Sequence, residues 1–280
     1  MQGQKSLFDR LWISTIWVLT GFFIINLIGL ISAVVVSSFG TRWLRSWLPA
    51  GWTTKWYASA WAEFQLDDLL ITTFQIVFLV VLISGLIGIP AAYAMARRDF
   101  PGKKLVMLLF LLPMLVPPVT FGIPLATVLY KTGLGGTMVG VVLANLVPTI
   151  PFVIMVMIPF IEQINPTIES AARVFGANTF RLFVHILIPL LLPGALAALL
   201  LVLVRTIAMF ELTFLTAGPT SQTLVVALYY AVFAAGVRAV QSIDAMAVIY
   251  MVTTLVWLVI ALRFVNPTQI VARAKNQNAH

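Results

Sequence analysis

Cysteine is absent from this 280-residue chain, which excludes disulfides and thiolate metal sites outright. Charge is scarce too: Asp, Glu, Lys and Arg make up 9% of the residues, against roughly 25% in soluble domains. So few charges cannot coat a water-soluble globule. The only histidines, His185 and His280, lie far apart, so no metal site is expected. The sequence contains no G-x-x-x-x-G-K-[ST] phosphate loop, so it carries no nucleotide-hydrolysing element of its own. A Ser–His pair, a paired Asp and a His cluster are also missing from the apolar runs, which argues against an intramembrane enzyme.

What is present is apolar. Hydrophobic residues make up 61% of the chain and the mean hydropathy is +1.04, so the expected solvent is a lipid bilayer. The net charge of +8 does not point to nucleic acid, because the basic residues are scattered between apolar runs. About 20 apolar residues cross a 30 Å hydrocarbon core. Runs of that length occupy Leu11–Ser38, Leu69–Ala96, Leu105–Tyr130, Met138–Ile161 and Leu187–Leu215, with a sixth at Ala245–Leu262. The expected fold is therefore an all-α membrane protein with six transmembrane helices. Residues 1–10 form its N-terminal segment, 11–264 the membrane domain and 265–280 a tail.

The first run is too long for a secretory signal and lacks a small-residue cleavage pattern, so it reads as a retained span. Leu224–Ala235 is too short to span and reads as an interfacial or re-entrant helix outside the membrane. With six spans both termini share a side. That side collects eleven Lys and Arg, including Arg97, Arg98, Lys103, Lys104, Arg173 and Arg181; the opposite side collects five. The positive-inside rule then puts both termini and the 163–185 loop in the cytoplasm.

Two further patterns bear on function. Pro113, Pro117, Pro118 and Pro124 crowd the third run, predicting a span broken near its middle, because a proline removes a helical hydrogen bond. Broken helices in lipid favour a transport pathway over an inert anchor. The external segment 40–67 holds Trp43, Trp47, Trp52, Trp56 and Trp61. Tryptophan favours the headgroup boundary, so this stretch reads as lying on the outer leaflet, with a partner surface as the alternative.

The most informative segment lies between the fourth and fifth runs. Asn165-Pro166 is a helix start, with Asn165 as N-cap and Pro166 in the first turn. Glu169 suits the helix dipole there. Ala171 and Ala172 are helix formers, Gly176 ends the run, and a second short helix is expected from Asn178. The spacing Glu169-Ser170-Ala171-Ala172-Arg173-Val174-Phe175-Gly176, nine residues, then Ile186-Leu187-Ile188-Pro189 resembles the E-A-A loop of permease subunits of binding-protein-dependent ABC importers, the MetI-like family. Gly176, Ile186 and Pro189 fall in register. Ser170 stands at the motif's Glu, with Glu169 one position early, and Ile188 replaces the usual Leu.

That resemblance implies a cytoplasmic coupling helix that docks a separate ATPase. By carry-over, Glu169, Ser170, Ala171, Ala172 and Gly176 form the docking face, with Arg173 and Arg181 as charge partners. It also implies two ATPase subunits that use ATP and Mg, a second permease chain (identical or homologous), and an external solute-binding protein. The location implied is a bacterial inner membrane. The chain itself would bind no cofactor and catalyse no reaction. The wording of the coupling segment resembles polyamine and related small-organic or iron importers, with a sugar or sugar-derivative importer as the alternative.

Arg205 and Glu211 lie inside the fifth apolar run, where a charge costs at least ~2.5 kcal/mol. They are expected to face a partner chain or a wet cavity on the substrate path, or to make a structural inter-helix contact. Six residues turn a straight helix by about 240°, so a direct pair requires a bend. In the external loop 220–244, Tyr229, Tyr230 and Phe233 are candidate contacts for the binding protein or simple membrane anchors. A secondary transporter is the alternative from another class. It would need an ion-coupled acidic pair within the spans, whereas Glu211 is the one clear mid-span acid.

Overall fold

The computed structural model describes residues 7–43, 46–233 and 238–264. Among them the regular elements are all helical, apart from two isolated bridges. The expected ends of the N-terminal segment, of the 224–235 helix and of the C-terminal tail lie outside the described residues. The chain divides into two units, Met1–Gln65 with Ala231–Met251 and Leu66–Tyr230 with Val252–His280.

In the first unit, α1 (Leu7–Phe39) is an uninterrupted apolar helix whose most hydrophobic window has no buried share. Its last turn carries the polar contacts. Ser38 Oγ lies 2.8 Å from the Tyr57 hydroxyl, and the Phe39 and Tyr57 rings are 5.0 Å apart. Ser37 Oγ donates to Asp244 at 2.5 Å. The chain then turns back through a Gly40–Trp52 bridge into α2 (Lys55–Glu63). The tryptophans expected to act alike divide here: Trp47 is 99% exposed, whereas the Trp56 indole donates to the Gly40 carbonyl at 2.8 Å. At the end of α2, Glu63 pairs with Arg238 at 2.9 Å and accepts from Ser242 at 3.1 Å.

The second unit holds the core. α3 (Leu66–Arg97) begins with Asp67 and Asp68 and ends with Arg97, charges that complement its dipole at both ends. α4 (Lys103–Leu115) and α5 (Pro118–Lys131) meet at a bend of 98°. The expected break falls at Val116–Pro117, where Val116 is extended, as a residue before proline prefers. α6 (Met138–Glu162) starts from a Thr137 cap and runs on through Pro148, Pro151 and Pro159. Burial of two thirds of its apolar window lets neighbours support the freed carbonyls.

After α7 (Pro166–Val174) and α8 (Thr179–Leu182), a π-helical segment Phe183–Leu187 leads into α9 (Ile188–Ile207). α10 (Glu211–Thr216), α11 (Leu224–Phe233) and α12 (Val240–Phe264) follow. Among the described residues five helices are long and apolar enough to cross a membrane, six when the bent α4–α5 pair counts as one span. This agrees with the expected six-span, all-helical fold.

The fifth span departs from expectation. It covers Thr179–Ile207 rather than Leu187–Leu215, and the chain turns at 208–210 before α10. Neither proline nor glycine marks that turn. Tertiary packing makes it: Met209 and Leu212 bury against Leu129 of α5 and Ala144 of α6.

α3, α6 and α9 pack on one another around Ile76, Val80, Val153, Met157, Ile161, Leu191 and Val202. A Cβ on Gly88 would stand 2.7 Å from the Val153 side chain, and one on Gly85 would stand 2.8 Å from Leu199. α3 therefore lies against both neighbours at a spacing only small residues permit, as in tight membrane helix pairs.

Candidate functional site

The helix–glycine–helix segment folds for local reasons. Asn165 Oδ1 accepts the Thr167 N–H at 3.0 Å, and Pro166, lacking an N–H, fills the first helical position at no cost. α7 ends in a Schellman motif. The Ala177 N–H reaches the Ala172 carbonyl at 3.0 Å, and the Gly176 N–H reaches that of Arg173 at 3.0 Å. Gly176 sits at φ +82° with open space around its Cα, so backbone conformation, not crowding, selects glycine there. Asn178 Oδ1 then caps α8 by accepting the Arg181 N–H at 2.8 Å.

Ser170, Ala171, Arg173, Gly176 and Arg181 are exposed, and Ala172 is half-buried against the core. Glu169 departs from the expected docking face. Its carboxylate turns inward to accept from Arg97 Nε at 2.7 Å and from the Tyr93 hydroxyl at 2.6 Å. Its side chain is only 11% exposed and that of Arg97 13%. Glu169 and Ala172, three residues apart, share the inward side of α7. The cation that draws Glu169 in is 72 residues away in sequence, so no local pattern could reveal it. A second Arg97 nitrogen donates to the Ile164 carbonyl, and Phe183 packs edge-on to Tyr93 at 5.1 Å.

Sequence reasoning passed over Val174 and Phe175 and expected Phe180 to face the same way as Phe183, which instead packs on Tyr93. Val174, Phe175 and Phe180 are 84%, 90% and 72% exposed. Their only local signal was position: two flank Gly176 on its N-terminal side and the third opens α8. With Arg173 and Arg181 beside them, they give the surface an apolar and cationic character. No carboxylate from the motif reaches it, because Ser170 takes the outward position.

A second group forms at the turn after α9. Arg205 lies in the last turn of α9, its guanidinium 5.1 Å from the Phe152 ring centre. Glu211 opens α10 and is half-buried. The two belong to separate helices rather than one span, and among the described residues no ion pair joins them. Tyr229 and Tyr230 gather here with Phe210 and Phe214. The Tyr229 ring is 4.9 Å from Phe210 and 5.2 Å from Phe214, and Tyr230 is 5.6 Å from Phe214. Phe233, grouped with these tyrosines by sequence, is an exposed residue of the last turn of α11. Nearby, Asn145 Nδ2 donates to Thr213 at 3.3 Å while its buried Oδ1 has no partner.

These features define a class: a polytopic helical membrane protein with a broken span and a capped helix–glycine–helix segment between two spans. Residues 84–270 match the family of binding-protein-dependent transport system inner membrane components, and the chain belongs to that family. Among its relatives, the molybdenum transport system permease protein ModB of Haemophilus influenzae is 33% identical over 51% of this chain and 69% of its own length. The diacetylchitobiose uptake system permease protein NgcG of Streptomyces coelicolor is 27% identical over 54% and 50%, respectively. The trehalose transport system permease protein SugB of Mycobacterium tuberculosis is 32% identical over 48% and 49%. The chain thus spans about half to two thirds of the length of these relatives.

Solved structures share the fold. A chain of a bacterial ABC transporter that imports the acidic polysaccharide alginate superposes with a TM-score of 0.76 at 17% identity, covering 94% of this chain and 99% of that one. A chain of the MetNI methionine ABC transporter, in inward-facing conformations, gives 0.53 at 16% identity, covering 71% and 93%.

Proposed function

We propose that this chain is the permease subunit of an ATP-driven solute importer and that α7 and α8 dock a separate ATPase. The observation that carries the proposal is the outer surface of 170–181. There Val174, Phe175 and Phe180 stand exposed beside Arg173 and Arg181, on helices capped at both starts. Contiguous exposed apolar side chains rimmed by polar ones mark an interaction site. In this reading Ser170, Ala171, Arg173, Gly176 and Arg181 contact the ATPase, with Ala172 at the edge. The segment faces the cytoplasm, as do both termini. Two ATPases, which use ATP and Mg, sit below this chain and a second permease chain, and a solute-binding protein delivers cargo from outside. The chain performs no hydrolysis itself.

For cargo, the reading favoured is a small organic cation of the polyamine kind. Glu211 follows Phe210, whose ring lies 5.1 Å from that of Phe214 and 4.9 Å from that of Tyr229, and a carboxylate together with aromatic faces suits organic cations. The same rings support a second reading, a sugar or sugar derivative, because flat aromatic faces also pack on sugar rings. Mass spectrometry of the complex, extracted in mild detergent from its native host, tests both levels. Co-purification of a Walker-motif ATPase and a binding protein is expected; recovery of the chain alone would overturn the importer reading. A polyamine released from that binding protein supports the first cargo, an oligosaccharide the second, and an oxyanion neither.

A further inference from the structure

Three side chains at one end of α3 do what no sequence pattern assigned to them. Arg97 Nε and the Tyr93 hydroxyl hold the two oxygens of the Glu169 carboxylate at 2.7 and 2.6 Å. Arg97 also donates to the Ile164 carbonyl, just before α7, and Tyr93 packs edge-on to Phe183, just after α8. One turn of α3 therefore grips the entry, the middle and the exit of the docking segment.

We propose that Tyr93, Arg97 and Glu169 form a latch that makes α7 and α3 move as one body. The inference rests on the docking reading above. The covalent routes from α7 into the spans pass through turns or irregular helix. Toward α6 there is only the turn at 163–165. Toward α9 the chain passes Gly176 and then the π-helical residues Phe183–Leu187, a geometry that proteins use rarely and mostly at functional positions. The latch supplies a third route, through a single continuous helix with Pro90 inside it. α3 runs 32 residues and presses Gly88 on Val153 of α6 and Gly85 on Leu199 of α9. A displacement of α7 thus reaches all three core helices at once. Charge and burial make the latch selective: at 13% and 11% exposure, neither ion can separate from the other without leaving a buried charge unpaired. Tyr93, Arg97 and Glu169 are positioning residues, acting on transport through the elements they join.

Because the chain has no cysteine of its own, spin labels on Thr167→Cys in α7 and Ile87→Cys in α3, both exposed positions, report the α7–α3 distance once the partner subunits are also free of reactive thiols. The measurement uses the complete complex with its ATPase, nucleotide-free and ATP-bound. With the latch intact the distance distribution is expected to stay the same in both states. In Arg97→Gln it is expected to differ between them, and in Arg97→Lys, which keeps the charge, to stay the same again. Tyr93→Phe, which removes one hydroxyl, guards against a variant that fails to fold and is expected to differ by less than Arg97→Gln. A nucleotide-dependent change with the latch intact would overturn the proposal. So would a distribution in Arg97→Gln that matches the intact latch or broadens equally in both states, as a merely structural contact would. Retention of the ATPase separates the two readings: if it never co-purifies, the docking assignment falls and takes the latch with it. If it co-purifies and Gly176→Val releases it while Arg97→Gln stays rigid, docking stands and the latch alone falls.

Discussion

At position 176 the backbone makes a demand that only one residue type meets cheaply. The φ of +82° closes the Schellman turn that ends α7 and aims α8. An L-residue there costs roughly 1–2 kcal/mol, and a β-branched one more. Gly176→Val is therefore expected to swing α8 away and abolish ATPase binding and uptake, while the chain still inserts in the membrane. Wild-type retention of the ATPase in that variant would remove the docking assignment. Glu169 and Ser170 are neighbours with opposite expectations. Glu169→Ala strands the Arg97 charge in a nearly dry site, and breaking a buried pair costs about 3–5 kcal/mol. Ser170→Ala loses only a 3.3 Å bond to the Pro166 carbonyl at an exposed position, within about 0.5 kcal/mol. Amide exchange across 166–174 should accelerate strongly in the first variant and barely in the second. Equal acceleration in both would show that the pair does not hold α7.

Among the elements, the short helices are the ones whose stability depends on caps. α7 has nine residues and α8 four, below the length at which a helix persists alone. Asn165→Ala should cost about 1 kcal/mol, read as roughly fivefold faster exchange of the first α7 amides, with no change in the spans. Both caps, the proline start and the glycine stop were legible in sequence because they are local chemistry, settled within a few residues. So was the break at Val116–Pro117, which proline sterics dictate. The end of α9 was not legible, because Met209 and Leu212 turn away from the helix to pack on Leu129 and Ala144, partners that sequence does not place beside them. For the same reason Glu169 reads outward on α7 taken alone and points inward once α3 lies beside it. The aromatic group at Glu211 joins residues of α10 and α11, which no single run could have brought together.

On the scale of the whole molecule, the question that decides the mechanism is which side of the membrane the docking segment faces. α6 separates the 132–137 turn from the 163–165 turn by 25 residues, about 37 Å at 1.5 Å per residue, enough to put them on opposite faces of a bilayer about 30 Å thick. The eleven-to-five distribution of Lys and Arg is the ground for proposing that the 163-side is cytoplasmic. The missing cysteines allow a direct check. Lys131→Cys and Thr167→Cys are both at exposed positions, and each would be the only thiol in its chain. In intact cells stripped of their outer barrier, a membrane-impermeant maleimide should label Lys131→Cys and spare Thr167→Cys. In inverted vesicles the labelling should reverse. If Thr167→Cys reacted from outside, α7 and α8 would face a compartment without ATP. The exposed Val174, Phe175 and Phe180 would then need a partner other than an ATPase, and the latch at Arg97 would transmit a different force. If both positions reacted from the same side, α6 would not span, and a six-helix pathway through this chain would lose its central wall.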